Sequence, residues 1–428
     1  MARLLALAGT AALAAALRDT DLAVTGEAIA AINAQRPSWV AGENIKFLNA
    51  TVLDVKRLLG TRVGTKEQKE KFAALEIRVA VADALPVAFN ATANWPKCAS
   101  IIGAVRDQSD CGCCWAFGST ESFNDRMCIV HGYSSLLSPS DTCSCCNSKH
   151  GCSSGGCNGG FTEDAANYFV KTGLVTGDNN PSVGTGSSCF PYQLKMCDHH
   201  EGGPYPACPS VCSPGECATP ACPADSASPK CSEKGYTAET WAKDKHFAKK
   251  AYGVSGVDAI ATDIMTNGPV SASFTVYSDL LTYKSGVYSK TSGATPLGGH
   301  AVKILGWGNE GGQESVFARP AEPRRALLTR PSFPSLSPLK LLDRRQLVEH
   351  VLGRPRLFQD PQGRERVRHR VGHRDGRGLK PARIVGCEGR TGREWACNSP
   401  LQWPPFPPSI PPYPPPLTPL RRRRARQP

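Results

Sequence analysis

Gln108-Ser109-Asp110-Cys111-Gly112-Cys113-Cys114-Trp115-Ala116-Phe117 is the most informative stretch of this chain. Apolar residues begin at Cys114 and continue through Trp115, Phe117, Phe123 and Met127, which predicts a helix opening on Cys114. The first turn of a helix has unpaired N–H groups and the positive end of the dipole, and both stabilise a thiolate. A nucleophilic thiolate needs an imidazole, to hold the ion pair and to protonate a leaving amine. Gly298-Gly299-His300-Ala301, heading the apolar run Ala301–Leu305, supplies one. Its glycines let a substrate backbone approach closely. Gln108, six residues before Cys114, is positioned to donate its amide to a developing oxyanion beside the Cys114 N–H.

The surroundings of this stretch are rich in cysteine. Seventeen of the 19 cysteines lie between Cys98 and Cys231, a density suited to an oxidising compartment. The N-terminus is consistent with that. Arg3 precedes a small-residue apolar stretch, Leu4 to Leu17, and Ala14-Ala15-Ala16 fits a cleavage site before Arg18. No apolar run reaches the roughly 20 residues needed for a helical membrane span. Residues 1–17 are therefore expected to be a signal peptide. Residues 18–84, polar and helix-patterned with apolar spots at Trp39 and Leu58-Leu59, form a separate segment without cysteine. A Gly/Pro/Cys-rich loop from Ser182 to Pro229 is too punctuated for regular elements. From Tyr252 to Trp307 the pattern reads as short strands, with Val270–Phe274 alternating.

The chain carries a net charge of +13, which suggests nucleic acid or a membrane surface, but the charge is unevenly spread. Residues 1–313 hold 26 Lys and Arg against 28 Asp and Glu, and residues 314–428 hold 24 against 9. The basic excess belongs to the tail, so no nucleic-acid partner is expected.

Gln108, the Cys-Gly-Cys-Cys-Trp run and His300 together resemble the papain family of cysteine proteases, and within it the cathepsin B-like branch. The resemblance runs from about Asp21 to Gln313 and includes Trp39–Asn44, Lys56–Thr61, Leu85–Phe89 and Asp279–Tyr288. It implies an α+β, papain-like two-domain fold: a helical domain led by the Cys114 helix and a β-barrel-like domain carrying His300. Residues 18–84 would be a propeptide that blocks the cleft, and residues 85–313 the peptidase domain. Cys114 would be the nucleophile, His300 the acid/base and Gln108 the oxyanion donor. Gly159, Gly160 and Gly299 would meet the substrate backbone. His199 and His200, in a disulfide-pinned loop over about 189–231, would take a substrate's terminal carboxylate and favour release of C-terminal dipeptides. The implied disulfides are Cys98–Cys128, Cys111–Cys157, Cys146–Cys152, Cys197–Cys208, Cys189–Cys231 and Cys145–Cys222. Cys143, Cys212 and Cys217 are surplus to that set, and Cys113 stands where the family usually has Ser. Asn49-Ala50-Thr51 and Asn90-Ala91-Thr92 are glycosylation sequons that suit a secretory route to a lysosome, a vacuole or the exterior. No cofactor or metal is expected; the partners are peptide and protein substrates and the propeptide itself.

The tail departs from the family. The family orients its imidazole with the Asn of an Asn-Ser-Trp segment, yet Asn398 is followed by Ser399 and Pro400. Read one nucleotide out of register, the codons for Leu342–Gly353 can encode Trp-Thr-Val-Ala-Asn-Ser-Trp-Asn-Thr-Ser-Trp-Gly, and the match continues to Gly376. Glu314 to about Leu341 then reads as translated intron or a frame error, and residues 314–428 as an aberrant, basic, disordered tail holding 20 of the 35 prolines. The β domain is expected to be incomplete. Two other readings stay open: a catalytically impaired or non-functional product lacking the Asn-Ser-Trp segment, and a disulfide-rich extracellular binding module.

Overall fold

The computed structural model describes residues 17–82, 84–197, 208, 218–236, 240–310, 313–319 and 340–343. All of these fall within one unit, Met1–Arg356. Nearly all of the expected signal peptide, His199, His200, Cys212, Cys217, Cys387, Cys397, Asn398 and most of the basic tail lie outside the described residues.

The helices are α1 (Gly26–Ala34), α2 (Val52–Leu58), α3 (Lys66–Ala73), α4 (Ala91–Asn94), α5 (Ala99–Ile102), α6 (Cys114–His131), α7 (Pro139–Cys145), α8 (Thr162–Lys171) and α9 (Val257–Asn267). The strands are β1 (Trp39–Ala41), β2 (Glu76–Arg78), β3 (Phe89–Asn90), β4 (Tyr252–Val254), β5 (Val270–Tyr277), β6 (Tyr283–Tyr288), β7 (Pro296–Glu310), β8 (Gln313–Arg319) and β9 (Lys340–Asp343). Seven strands form one sheet in the order β1-β6-β9-β8-β7-β3, with β5 also pairing β7. The mixture of helices and sheet is α+β, and no closed barrel forms among the described residues.

The two halves have separate cores. Trp115, Phe117, Leu137, Tyr168, Leu174, Phe190 and the buried half-cystines fill the helical half. Ile260, Ile264, Phe274, Leu280, Leu281, Tyr288, Ile304 and Trp307 fill the sheet half. Residues from the 18–84 segment, Trp39, Phe47, Val52, Val55 and Leu58, are buried in that same sheet-side core. Full burial of such side chains contributes about 1.5–3 kcal/mol each, so this segment is built into the fold rather than draped over it. β1 pairs antiparallel with β6, and a capping box between Thr51 and Asp54 starts α2.

Elements in three regions differ from the sequence expectation. Val257–Asn267, expected as part of a strand region, is α9, because Ile260, Ala261 and Ile264 repeat at helical spacing and are buried. Between Cys98 and Cys231, α5, α7 and α8 join the one helix foreseen; Ser138 caps α7 with Pro139 in its first turn, and Tyr168 and Phe169 anchor α8. The sheet also continues past residue 313. β8 pairs antiparallel with β7 from Lys303↔Arg319 to Glu310↔Gln313, because the end of β7 has an unpaired edge that an extended segment can satisfy.

α6 carries the site. Its first turns are buried on every side, so it is not amphipathic there: Trp115, Ala116, Phe117, Gly118, Ser119 and Thr120 are all buried. Gly118 lies close to β7: a Cβ there would sit 3.4 Å from the Val302 backbone and from Ser271 Oγ, at the near edge of ordinary contact. That close approach sets α6 against β7, the strand carrying His300.

Candidate active site

Cys114 is the first residue of α6, and Cys113 before it provides no side-chain cap. The N–H groups of the first turn therefore face the cleft end of the helix. The loop ahead of it is tightly held. Ser109 has a left-handed backbone (φ 57°), a costly conformation for a non-glycine residue, and its N–H donates to Asp107 Oδ1 at 2.6 Å. The turn presents Gln108 inward, 1% exposed. Tyr192, which the sequence reading did not single out, braces the loop from behind: its hydroxyl donates to the Gln108 carbonyl at 2.7 Å, and its ring packs edge-on against Phe117.

His300 comes from the opposite half. On β7 it sits opposite Phe274 of β5, whose ring meets the imidazole edge-on with centroids 6.0 Å apart. Burial acts to raise the Cys114 thiol pKa. The charge of His300 opposes it, aided by a hydrogen bond with that side chain, the Thr61 hydroxyl and the Ala301 backbone. The thiol ends below its ordinary value. His300 Nδ1, though, is buried without a hydrogen-bond partner.

The glycines form the two walls. The Cys111–Cys157 disulfide ties the Gln108–Cys114 loop to the Cys157–Gly160 wall, and Trp115 Nε1 donates to the Gly156 carbonyl at 3.1 Å. Between the walls runs Gly60-Thr61-Arg62 of the 18–84 segment. The Thr61 N–H donates to Gly299 O at 3.1 Å, Arg62 N–H to Gly160 O at 2.9 Å, and Gly160 N–H to Gly60 O at 2.9 Å. Thr61 Oγ1 lies 3.0 Å from Cys114 Sγ. The Gln108 amide donates to Leu58 O at 2.9 Å and to Cys111 O at 2.8 Å, so a carbonyl of the 18–84 segment occupies one of its donors. The glycines are needed here: a Cβ on Gly299 would fall 1.9 Å from Thr61 O, and one on Gly160 2.6 Å from Trp115 Cε2. Thr61 is the contact that sequence reasoning missed. Its only cue was its place within Lys56–Thr61, quoted for a different reason.

S–S bonds join Cys98–Cys128, Cys111–Cys157, Cys145–Cys222, Cys146–Cys152, Cys189–Cys231 and Cys197–Cys208. Cys113, Cys114 and Cys143, all buried, stand outside these six bonds. Asn49 is exposed on a turn; Asn90 is half-buried, with its Oδ1 accepting from Thr92 N–H. No described helix is long and apolar enough to cross a membrane.

A nucleophile, an imidazole and an amide donor around a backbone-sized groove are the parts for acyl transfer. The family model described as "Papain family cysteine protease" matches residues 85–319. The chain belongs to the papain family of cysteine proteases. It is 41% identical over 298 residues to cathepsin B-like cysteine proteinase 5 of Caenorhabditis elegans, covering 68% of this chain and 79% of that protein. A cathepsin B-like cysteine proteinase of Schistosoma japonicum is 38% identical over 275 residues, 64% of this chain and 74% of the relative. Among solved structures, procathepsin B S9 from Trypanosoma congolense superposes with a TM-score of 0.55 at 28% identity, covering 70% of this chain and 88% of its own. The papain-family match ends with β8, six residues beyond the boundary expected at residue 313. The chain is a cysteine peptidase with a papain-like α+β fold.

Proposed function

We propose that residues 18–84 are an inhibitory propeptide and that its removal leaves a cathepsin B-like endopeptidase. In this reading Cys114 attacks the scissile carbonyl and forms a thioester. Gln108 and the Cys114 N–H hold the oxyanion, and His300 protonates the leaving amine and then activates water. Gly160 and Gly299 hold the substrate backbone by the bonds now made to Gly60-Thr61-Arg62. The observation that carries this reading is Thr61 Oγ1 at 3.0 Å from Cys114 Sγ, with its chain hydrogen-bonded to both walls. His199 and His200 would add carboxydipeptidase action; the Cys197–Cys208 bond closes the segment that contains them, which supports that role. Six disulfides and the sequons support passage through the secretory pathway, toward a lysosome, a vacuole or the exterior.

A second reading is favoured by one observation. His300 Nδ1 is buried and unpartnered, so one ring nitrogen lacks a hydrogen bond that would fix the imidazole. On this reading the thiolate forms but turnover is crippled. Acid-processing the refolded chain and assaying a dibasic fluorogenic peptide separates the two. Turnover lost on alkylating Cys114 supports the peptidase; a silent chain with a titratable Cys114 thiol supports the impaired form.

A further inference from the structure

Two departures from the family pattern meet in space. Cys113 replaces the usual Ser, and Cys143 lies outside the family's disulfide set. They are 30 residues apart, on the N-terminus of α6 and on α7, yet their sulfur atoms and that of Cys111 all lie within 4.8 Å of one another. Cys113 Sγ also lies 3.2 Å from the Tyr192 hydroxyl. Both are buried, at 0% and 2% exposure. Cys111 is already bonded to Cys157, so the trio offers two thiols and not three metal-binding thiolates.

We infer that Cys113 and Cys143 form a seventh disulfide, which staples the nucleophile helix to α7. Six disulfides already mark the compartment as oxidising. With the sulfurs no more than 4.8 Å apart, side-chain rotation is the motion needed to bring them to bonding distance. The oxidant is a disulfide RSSR, small-molecule or protein-borne. One cysteine thiolate attacks it and expels RS⁻, giving a mixed disulfide. The second thiolate attacks the cysteine sulfur of that mixed disulfide and expels a second RS⁻. The two cysteines lose two protons and two electrons, and RSSR becomes two RSH. Because the pair is buried, the bond forms before the core closes and is then shielded from reductant. Its consequence is chemical selectivity: Cys114 is left as the one free thiol among the described residues, with no second nucleophile at the adjacent position.

The test counts free thiols in the full chain, purified without reductant and then denatured, for the wild type and for Cys113→Ser and Cys143→Ser. Each single variant orphans its partner, so the expected count rises by one over wild type, and the Cys113→Ser/Cys143→Ser double variant returns to the wild-type count. A fall of one in each single variant means that the pair is reduced and overturns the inference; so does an unchanged count. Tandem mass spectrometry of the non-reduced wild type needs no variant to fold. A Cys113–Cys143 cross-link supports the staple, and a Cys111–Cys143 or Cys111–Cys113 cross-link overturns it.

Discussion

Replacing Trp39 with alanine should expose Cys114 in the unprocessed chain. Trp39 is 2% exposed and packs on Tyr288 with ring centroids 5.1 Å apart; its Nε1 donates to Ser289 O at 2.8 Å. Truncating a buried Trp costs about 3–5 kcal/mol, including the cavity it leaves. If the 18–84 segment leaves the sheet half as a unit, that loss falls on the docked state alone. At a factor of ten per 1.4 kcal/mol, the fraction of chains with an open cleft should rise roughly a hundred-fold to a few thousand-fold. The assay is the rate of Cys114 alkylation by iodoacetamide at neutral pH, followed by mass spectrometry on the full-length chain. Alkylation requires Thr61 to leave the sulfur, so its rate reports the open fraction. Val40→Ala, on the neighbouring but 54% exposed side chain, should leave the rate unchanged. An unchanged rate in Trp39→Ala would refute the idea that the buried anchor holds the block. A matching acceleration in Val40→Ala would refute it too.

Gln108→Ala, in the acid-processed chain, should lower kcat by about 10²–10³-fold with little change in KM, since its amide serves the oxyanion and not the bound ground state. Steady-state kinetics on a fluorogenic peptide checks this. Asp125, on α6, is held at a carboxyl pKa of about 6, first by burial and against the pull of Lys303, whose Nζ lies 2.9 Å away. Because the folded value is raised above the unfolded value of about 3.9, its stability contribution is complete below about pH 4 and is lost as pH rises through about 6, on the order of 3 kcal/mol. Asp125→Asn should flatten that part of the stability profile, read by thermal unfolding between pH 4 and pH 7. Sequencing the transcript across the codons for Gly311 to Leu342 should reveal a form that restores Asn-Ser-Trp in frame. A single continuous transcript encoding the present tail would exclude the frame explanation.

The sequence was most legible where chemistry and periodicity coincided. Cys114 opens a helix because a buried apolar run begins there, and His300 lies within a strand because Ala301–Leu305 is buried on both faces. The glycines at 160 and 299 could be read as sites of close approach, and the structure puts backbone at 1.9 Å from a Cβ at one of them. Helices α7, α8 and α9 were harder. Each is short and packed among disulfides or against the sheet, so their polar residues serve internal hydrogen bonds: Asp141 accepts from Tyr168 and Val175, and Asp263 from Arg126. Such residues look like solvated loop in sequence. Thr61 and Tyr192 were invisible for another reason. Each matters through a contact with a residue far along the chain, 53 positions for Thr61 and 84 for Tyr192, and no local pattern records that.

The most direct test is the titration of Cys114 in the processed enzyme, measured as the pH dependence of its alkylation with His300 present and with His300→Ala. The expected result is a thiol that reacts below the ordinary cysteine value of about 8.5 and returns toward or above it when the imidazole is removed. A Cys114 that titrates like an ordinary buried thiol in both proteins would contradict the ion pair, and the proposed acyl-transfer chemistry with it.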